Sequence, residues 1–197
     1  MVPRGRPPLE RGVLAFDVPG LVVPEAVVLD TSFVVEALLP SQPHYLGCRS
    51  FLERLMLSHA LVVFNRLLEL ELAEAAYKIA LKERFGKGGP MTMRGDGRAL
   101  RRAARLAEEI KESWSDTLSV LAWRRVELDD VVELVPELMS RGLASYDAVH
   151  AATATVVGVG HIVTLDTGFG RTRESDLVIL VDHSRLASCR KHRTRAV

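Results

Sequence analysis

The chain has 197 residues, 48% of them apolar and 26% charged, a balance typical of one folded domain and not of a disordered segment. The formal net charge of +1 does not discriminate among classes of partner. No stretch of about 18 uncharged apolar residues occurs, and no apolar segment of signal-peptide type precedes Pro19, so we expect a cytoplasmic protein without a membrane span. Cys48 and Cys189 lack metal-ligand spacing and are expected to be reduced thiols.

Strand-like and helix-like segments alternate along most of the chain. The proline-containing residues 1–24 are expected to form an N-terminal extension. Strands are then predicted at 27–29, 61–64, 123–128, 162–165 and 177–181, and helices at 33–39, 45–57, 67–85, 98–121, 131–139 and 146–157, the last with Ser145 as N-cap. This order predicts an α/β fold, a three-layer α/β/α sandwich with a central parallel sheet.

The domain is expected to span residues 25–183. Glycines at about 86–97 indicate an inserted loop, and residues 184–197 form a basic C-terminal tail. The segment 98–105 is also rich in arginine. Such basic segments are either solvated faces or phosphate-binding surfaces, and charge alone does not decide between these two interpretations.

Four acidic residues stand where a parallel sheet would bring them together. Asp30 and Asp166 follow predicted strands, and the sites of open parallel sheets form at the carboxyl ends of strands. Asp147 opens a helix, and Glu71 lies a few residues past the strand at 61–64. Two like charges about 5 Å apart repel by roughly 3 kcal/mol at an effective dielectric near 20. Clustered carboxylates therefore need raised pKa values or a divalent cation, for which Mg²⁺ or Mn²⁺ is suited.

Each acid also has a purely structural interpretation. Asp30 and Asp166 are suitable turn residues, because an Asp side chain accepts hydrogen bonds from backbone amides two residues on. Asp147 lies in the first turn of its helix, where the helix dipole stabilises a negative charge. The residues alone therefore leave two interpretations open, a metal site and a purely structural role.

The acidic motifs resemble those of the PIN-domain ribonucleases, whose commonest members are the toxins of VapBC-type toxin–antitoxin pairs. The residues that carry the resemblance are Asp30-Thr31-Ser32, Glu71-Leu72, Ser145-Tyr146-Asp147-Ala148-Val149-His150-Ala151-Ala152 and Thr164-Leu165-Asp166-Thr167-Gly168-Phe169. The resemblance covers about residues 26–182 and implies a PIN-like fold. Its third and fourth motifs are the most specific.

The resemblance leaves two candidates for the second acid. Family members carry a small polar residue after the strand and a Glu about six positions on, just before a Leu; Asn65 and Glu71 fit this pattern, and Glu69 is the alternative. Ser32, Thr164 and Asn65 are expected to support the acids. His150, one turn after Asp147, is expected to be a hydrogen-bonded structural residue.

The resemblance implies a Mg²⁺- or Mn²⁺-dependent endoribonuclease. Asp30, Glu71, Asp147 and Asp166 would bind the metal and catalyse hydrolysis of RNA phosphodiesters, with the metal orienting a water and stabilising the leaving 3′-oxygen. Substrate phosphates would be bound by the arginines of 98–105, or by the lysines Lys78, Lys82 and Lys87. The resemblance also implies a homodimer, and a small antitoxin protein whose tail enters the acidic cleft.

Other functions stay open. The extension, the glycine-rich insertion, and Gly168 at a position where many relatives carry another acid all depart from the family pattern. An RNA-processing PIN nuclease outside a toxin pair is therefore one alternative. A catalytically inactive module that binds RNA or protein is another, although all four acids are present. A haloacid-dehalogenase-type phosphatase is disfavoured, because Ser32 occupies the position of its general acid.

Overall fold

Six parallel strands form one sheet in the computed structural model, which describes residues 12–86, 91–172 and 177–195. The strands are β1 (Val13–Ala15), β2 (Ala26–Leu29), β3 (Leu61–Asn65), β4 (Ala122–Val126), β5 (His161–Val163) and β6 (Val178–Val181). Their order in the sheet is β1-β6-β5-β2-β3-β4. The central strands β2, β5 and β6 are short and almost wholly apolar, as expected for strands that helices cover on both faces.

Helices cover the two faces of this sheet. The described residues form α1 (Thr31–Leu38), α2 (Tyr45–Leu57), α3 (Arg66–Phe85), α4 (Gly97–Leu118), α5 (Val135–Ser140), α6 (Ser145–Val157) and α7 (His183–Arg195). Strand residues alternate between two apolar cores. Leu29 packs with residues of α1–α4 such as Phe33, and Val28 packs with residues of α5–α7 such as Ala151. The predicted three-layer α/β/α sandwich with a parallel sheet is confirmed.

Every predicted strand and helix is present, with its ends shifted by a few residues. One capping prediction is wrong: Ser145 is the first residue of α6, and its N-cap is Ala144, which makes no side-chain capping bond. One strand and one α-helix of the described structure were not predicted. The strand β1 lies within residues 1–24, and α7 occupies most of the basic tail. A domain boundary at residue 25 therefore leaves out one strand of the sheet.

Contacts from two arginines hold the segment around β1. Its backbone pairs with β6 in the register Val13 to Ile179. The Arg54 guanidinium of α2 donates to the carbonyl of Phe16 at 2.9 Å, and Arg190 of α7 donates to the carbonyl of Val13. These bonds satisfy carbonyls at the edge of the sheet. Residues 1–11 of the predicted extension lie outside the described residues.

The helices α3 and α4 pack along each other beyond the glycine-rich insertion. Residues 87–90 of this insertion lie outside the described residues, and Met91–Gly95 form a short 3₁₀ helix. Asp96 caps α4 by accepting from the Ala99 amide at 2.8 Å. Among the described helices, none combines the length and apolar character needed to cross a membrane.

Candidate active site

A cleft of about 1070 Å³ opens at the carboxyl ends of β2 and β5, and all four predicted acids line it. Asp30 is the N-cap of α1, directly after β2. Asp166 is the N-cap of the 3₁₀ turn Thr167–Arg171, which follows β5. Glu71 lies on the second turn of α3, and Asp147 on the first turn of α6. The fold thus brings the four acids to one edge of the sheet.

The Asp30 carboxylate is buried, and hydrogen bonds hold one of its oxygens. Oδ2 accepts from the Ser32 hydroxyl, from the Ser32 amide at 3.3 Å and from the Thr164 hydroxyl at 2.7 Å. The other oxygen, Oδ1, lies 3.5 Å from Nε2 of His150. The carboxylate is therefore fixed through Oδ2, with Oδ1 turned towards His150.

The hydroxyls of Ser32 and Thr164 connect the ends of β2 and β5. The Thr164 hydroxyl donates to Asp30 and accepts from the Asp166 amide at 2.8 Å. The Ser32 hydroxyl donates to Asp30 and accepts from the Leu165 amide at 2.9 Å. Each hydroxyl thus makes one bond to the first acidic motif and one to the backbone of the fourth, which fixes the two motifs relative to each other.

Glu71 lies in the acidic cluster and Glu69 does not. Oε2 of Glu71 accepts from the Thr31 hydroxyl at 2.6 Å and lies 2.9 Å from Nε2 of His150. Burial acts to raise the pKa of Glu71, but the bonds to His150 and Thr31 outweigh it and lower this pKa. Glu69 is more exposed, lies 3.9 Å from Arg125 and does not line the cleft. Of the two candidates for the second acid, only Glu71 is near the other three.

His150 is fully buried at the centre of the cluster, and the expectation that it is a hydrogen-bonded structural residue is confirmed. Oδ1 of Asn65 accepts from the Leu68 amide, so its Nδ2 is directed at Thr153 and at Nδ1 of His150, 3.3 Å away. An amide N–H only donates, so in the neutral imidazole Nδ1 accepts and the ring proton lies on Nε2. Burial opposes charging, but Glu71 and Asp30 raise the pKa of His150. In the neutral and the charged form alike, Nε2–H donates to Glu71.

Asp147 differs from the other acids because no hydrogen bond reaches its carboxylate from the described residues. Burial, followed by repulsion from Asp166 and Asp30, raises its pKa to about 7. Gly168 lies beside it: an added Cβ there would be 3.1 Å from Oδ2 of Asp147 and 2.9 Å from Oδ1 of Asp166. The cluster therefore carries more negative charge than its own donors neutralise.

The cluster has the donor chemistry of a site for a hard cation. Ligand atoms of Asp30, Glu71 and His150 lie within 4.8 Å of one another. Because Nε2 of His150 carries a proton, the available donors are carboxylate oxygens, which Mg²⁺ and Mn²⁺ prefer. Burial, and after it the charges of Asp166 and Asp30, raise the pKa of Asp147, a shift that a bound cation would oppose. The residues present fit a divalent metal.

The cations that line the cleft differ from most of those named from the sequence. They are Lys78, Arg94 and Arg185. None of the arginines in the segment 98–105 lines it, so the expectation that this segment binds phosphates next to the acids is not supported. Lys82 is also away from the cleft, and Lys87 lies outside the described residues.

Fold and site together define an α/β protein with a carboxylate cluster at the carboxyl edge of a parallel sheet. The model of the PIN domain family matches residues 27–175, more than half of the chain, and the protein belongs to this family. PIN domains are generally nucleases and typically use divalent metals. The match includes the four acids and excludes β1, β6 and α7. No curated protein matches the sequence.

Proposed function

We propose that this protein is a cytoplasmic endoribonuclease that depends on Mg²⁺ or Mn²⁺ and uses Asp30, Glu71, Asp147 and Asp166 as its active site. The observation that carries the proposal is the convergence of these four acids on one cleft, in a chain that belongs to a family of nucleases. Family membership supports the class of reaction. The lining of the cleft supports the choice of residues.

The four carboxylates would hold the cation, and the neighbouring side chains would orient them. When bound, the cation lowers the pKa of a water molecule and stabilises the charge that develops on the phosphate. Ser32 and Thr164 fix the orientation of Asp30, and His150 fixes Glu71 by donating from Nε2. The pKa of Asp147, which burial and the neighbouring acids raise to about 7, would be lowered by a bound cation, so the ionised form would be favoured.

Cleavage of a labelled single-stranded RNA by the purified protein tests this proposal. We expect cleavage with Mg²⁺ or Mn²⁺, none with EDTA, and products that carry 5′-phosphate and 3′-hydroxyl ends. Asp147→Asn should reduce the rate of cleavage at least about 100-fold, because it removes one of the carboxylates that would hold the cation. The matched control is Glu69→Gln, on the same edge of the protein but outside the cleft. Cleavage in EDTA, or full activity of Asp147→Asn, would contradict the proposal.

We further propose that the nuclease is the toxin of a toxin–antitoxin pair, that it forms a homodimer, and that a small antitoxin blocks the cleft. Exposed apolar side chains support binding of a peptide there: Leu70 is 64% exposed and Tyr146 is 59% exposed, and both line the cleft beside the acids. Expression of the protein should arrest growth, and co-expression of a small neighbouring gene should relieve the arrest. Asp147→Asn should not arrest growth.

An RNA-processing nuclease is the second candidate, and one observation favours it. The sheet continues through β6 and β1 beyond the part of the chain that the family model matches, and α7 adds a helix there. A processing enzyme would cleave a defined precursor RNA without arresting growth, so the same expression experiment separates the two roles. A catalytically inactive module would instead show no metal-dependent cleavage of any RNA.

A further inference from the structure

Arg185 is the one cation of the cleft lining without a carboxylate partner among the described residues. Glu74 accounts for the other two: its Oε1 lies 2.7 Å from Nη2 of Arg94 and 3.9 Å from Nζ of Lys78. The Arg185 side chain is exposed and forms no ion pair or hydrogen bond within residues 12–86, 91–172 and 177–195. Its five N–H donors are therefore available to a ligand in the cleft.

The position of Arg185 is not explained by the stability of its own helix. It lies in the first turn of α7, which begins at His183. The first turn carries the positive end of the helix dipole, where an arginine is unfavourable and an acid is preferred. A cation that neither pairs with an acid nor stabilises its helix is a candidate for binding an anion from outside the protein.

The helix α7 is held firmly enough to present this side chain. Cys189 is buried, and a Cβ at Gly170 would overlap its carbonyl, so α7 packs directly on the turn that follows Asp166. Nδ1 of His192 lies 2.9 Å from the carbonyl of Thr167 in the same turn. The helix that carries Arg185 therefore has a defined position relative to the fourth acid.

Sheet topology places the cations on opposite sides of the acids. The order β6-β5-β2-β3 puts the strands that precede Asp166 and Asp30 in the middle. Arg185 lies on α7, which follows β6 on one side. Lys78 lies on α3, which follows β3 on the other side, and Arg94 follows α3. A single strand that crosses the carboxyl edge of the sheet would pass from one group of cations to the other over the acids.

We propose that Arg185 binds a phosphate of the RNA substrate on the side of the acids opposite Lys78 and Arg94. A guanidinium suits this role, because it donates two parallel hydrogen bonds to phosphate oxygens and stays charged. The inference rests on the proposed ribonuclease activity. It assigns a substrate-binding role to α7, which lies outside the part of the chain that matches the family.

Steady-state cleavage of a short fluorescent single-stranded RNA, with Mn²⁺ and at several salt concentrations, tests Arg185. We expect Arg185→Ala to raise KM about five- to tenfold, with kcat changed less than about twofold, since an exposed phosphate contact contributes to binding. The slope of log(kcat/KM) against log salt should decrease by about 0.7 for one lost contact to a single strand. Arg185→Lys should retain most of that slope, because it keeps the charge.

The matched control is Arg105→Ala, an exposed arginine on α4 that does not line the cleft. It should leave KM and the salt slope unchanged. Equal effects of Arg105→Ala and Arg185→Ala would overturn the inference, and so would an unchanged KM for Arg185→Ala in an active enzyme. A fall in kcat alone would also overturn it. If the wild-type protein cleaves no RNA with either metal, the proposed function fails and the role of Arg185 fails with it.

Discussion

Replacing Asp147 with asparagine should make the metal-free protein more stable at neutral and alkaline pH. The pKa of Asp147 is raised from an ordinary value of 3.8 to about 7, chiefly by burial and then by Asp166 and Asp30. A carboxyl group whose pKa is higher in the folded than in the unfolded chain destabilises the fold above the unfolded pKa. The destabilisation grows from about pH 4 and is complete above about pH 7, where the group is ionised in both states.

The size of the effect follows from this shift. At about 1.4 kcal/mol per pKa unit, the shift corresponds to at most about 4 kcal/mol. Because the carboxylate is partly open to the cleft, solvent screening reduces this to about 2 kcal/mol. Asparagine has the shape of the protonated acid and carries no charge. Asp147→Asn should therefore raise the Tm by about 5 °C at pH 8, and the gain should be smaller at pH 5, where more of the acid is protonated in the folded chain.

Thermal and urea unfolding in EDTA, at pH 5 and pH 8, measure this difference. Asp116→Asn is the control, since Asp116 is an exposed acid of α4 outside the cleft. Mg²⁺ or Mn²⁺ should then reverse the order: a cation at about 100 times its Kd stabilises the wild type by about 2.7 kcal/mol and the variant far less. Our account of the cluster would be refuted if Asp147→Asn were no more stable than the wild type in EDTA at pH 8, or if its gain were the same at both pH values.

Other substitutions test the remaining parts of the site. Glu71→Gln should reduce metal-dependent cleavage at least about 100-fold in single-turnover assays, whereas Glu69→Gln should stay within about twofold; equal losses would refute our choice of the second acid. Thr164→Val removes one buried and one partly buried hydrogen bond and should lower the free energy of unfolding by about 2–3 kcal/mol in urea, and Thr164→Ser should restore most of it. Gly168→Ala should weaken Mn²⁺ binding by calorimetry, because its Cβ would press on two carboxylates, and Gly95→Ala, with open space around it, should not.

Hydrophobic periodicity predicted the fold except at its two ends. Long elements such as α2 and α3 have several turns of pattern, and their predicted limits agree with the structure to within a residue. The strand β1 has only three residues and follows a proline-rich segment, so it carries almost no pattern of its own. It exists because β6 offers an edge with which to pair. The polar helix α7 escaped prediction because basic residues obscure its few apolar contacts, such as Cys189.

The positions of Asp30, Asp147 and Asp166 could be predicted, because each lies at the end of a strand or the start of a helix, whereas the choice of Glu71 came from the resemblance to the family. Contacts between distant segments could not. The bond between His150 and Glu71 joins residues 79 positions apart, and no spacing indicates it. Arg185 reaches the cleft only because β6 lies next to β5 in the sheet. The charge of the basic segment 98–105 is likewise visible in the sequence, whereas its position outside the lining of the cleft is not.

The local structure around each acid also explains why the carboxylate of Asp147 lacks the hydrogen-bond donors that the other three have. Asp30 and Asp166 are N-caps, so their side chains accept the backbone amides of Ser32 and Gly168, and their orientation needs no cation. Glu71 receives bonds from two side chains. Asp147 is the third residue of α6, past the N-cap, and no donor faces it in the described structure. Under the proposed function, its negative charge is the one that a bound cation would neutralise, and metal binding would then be coupled to the stability of the fold.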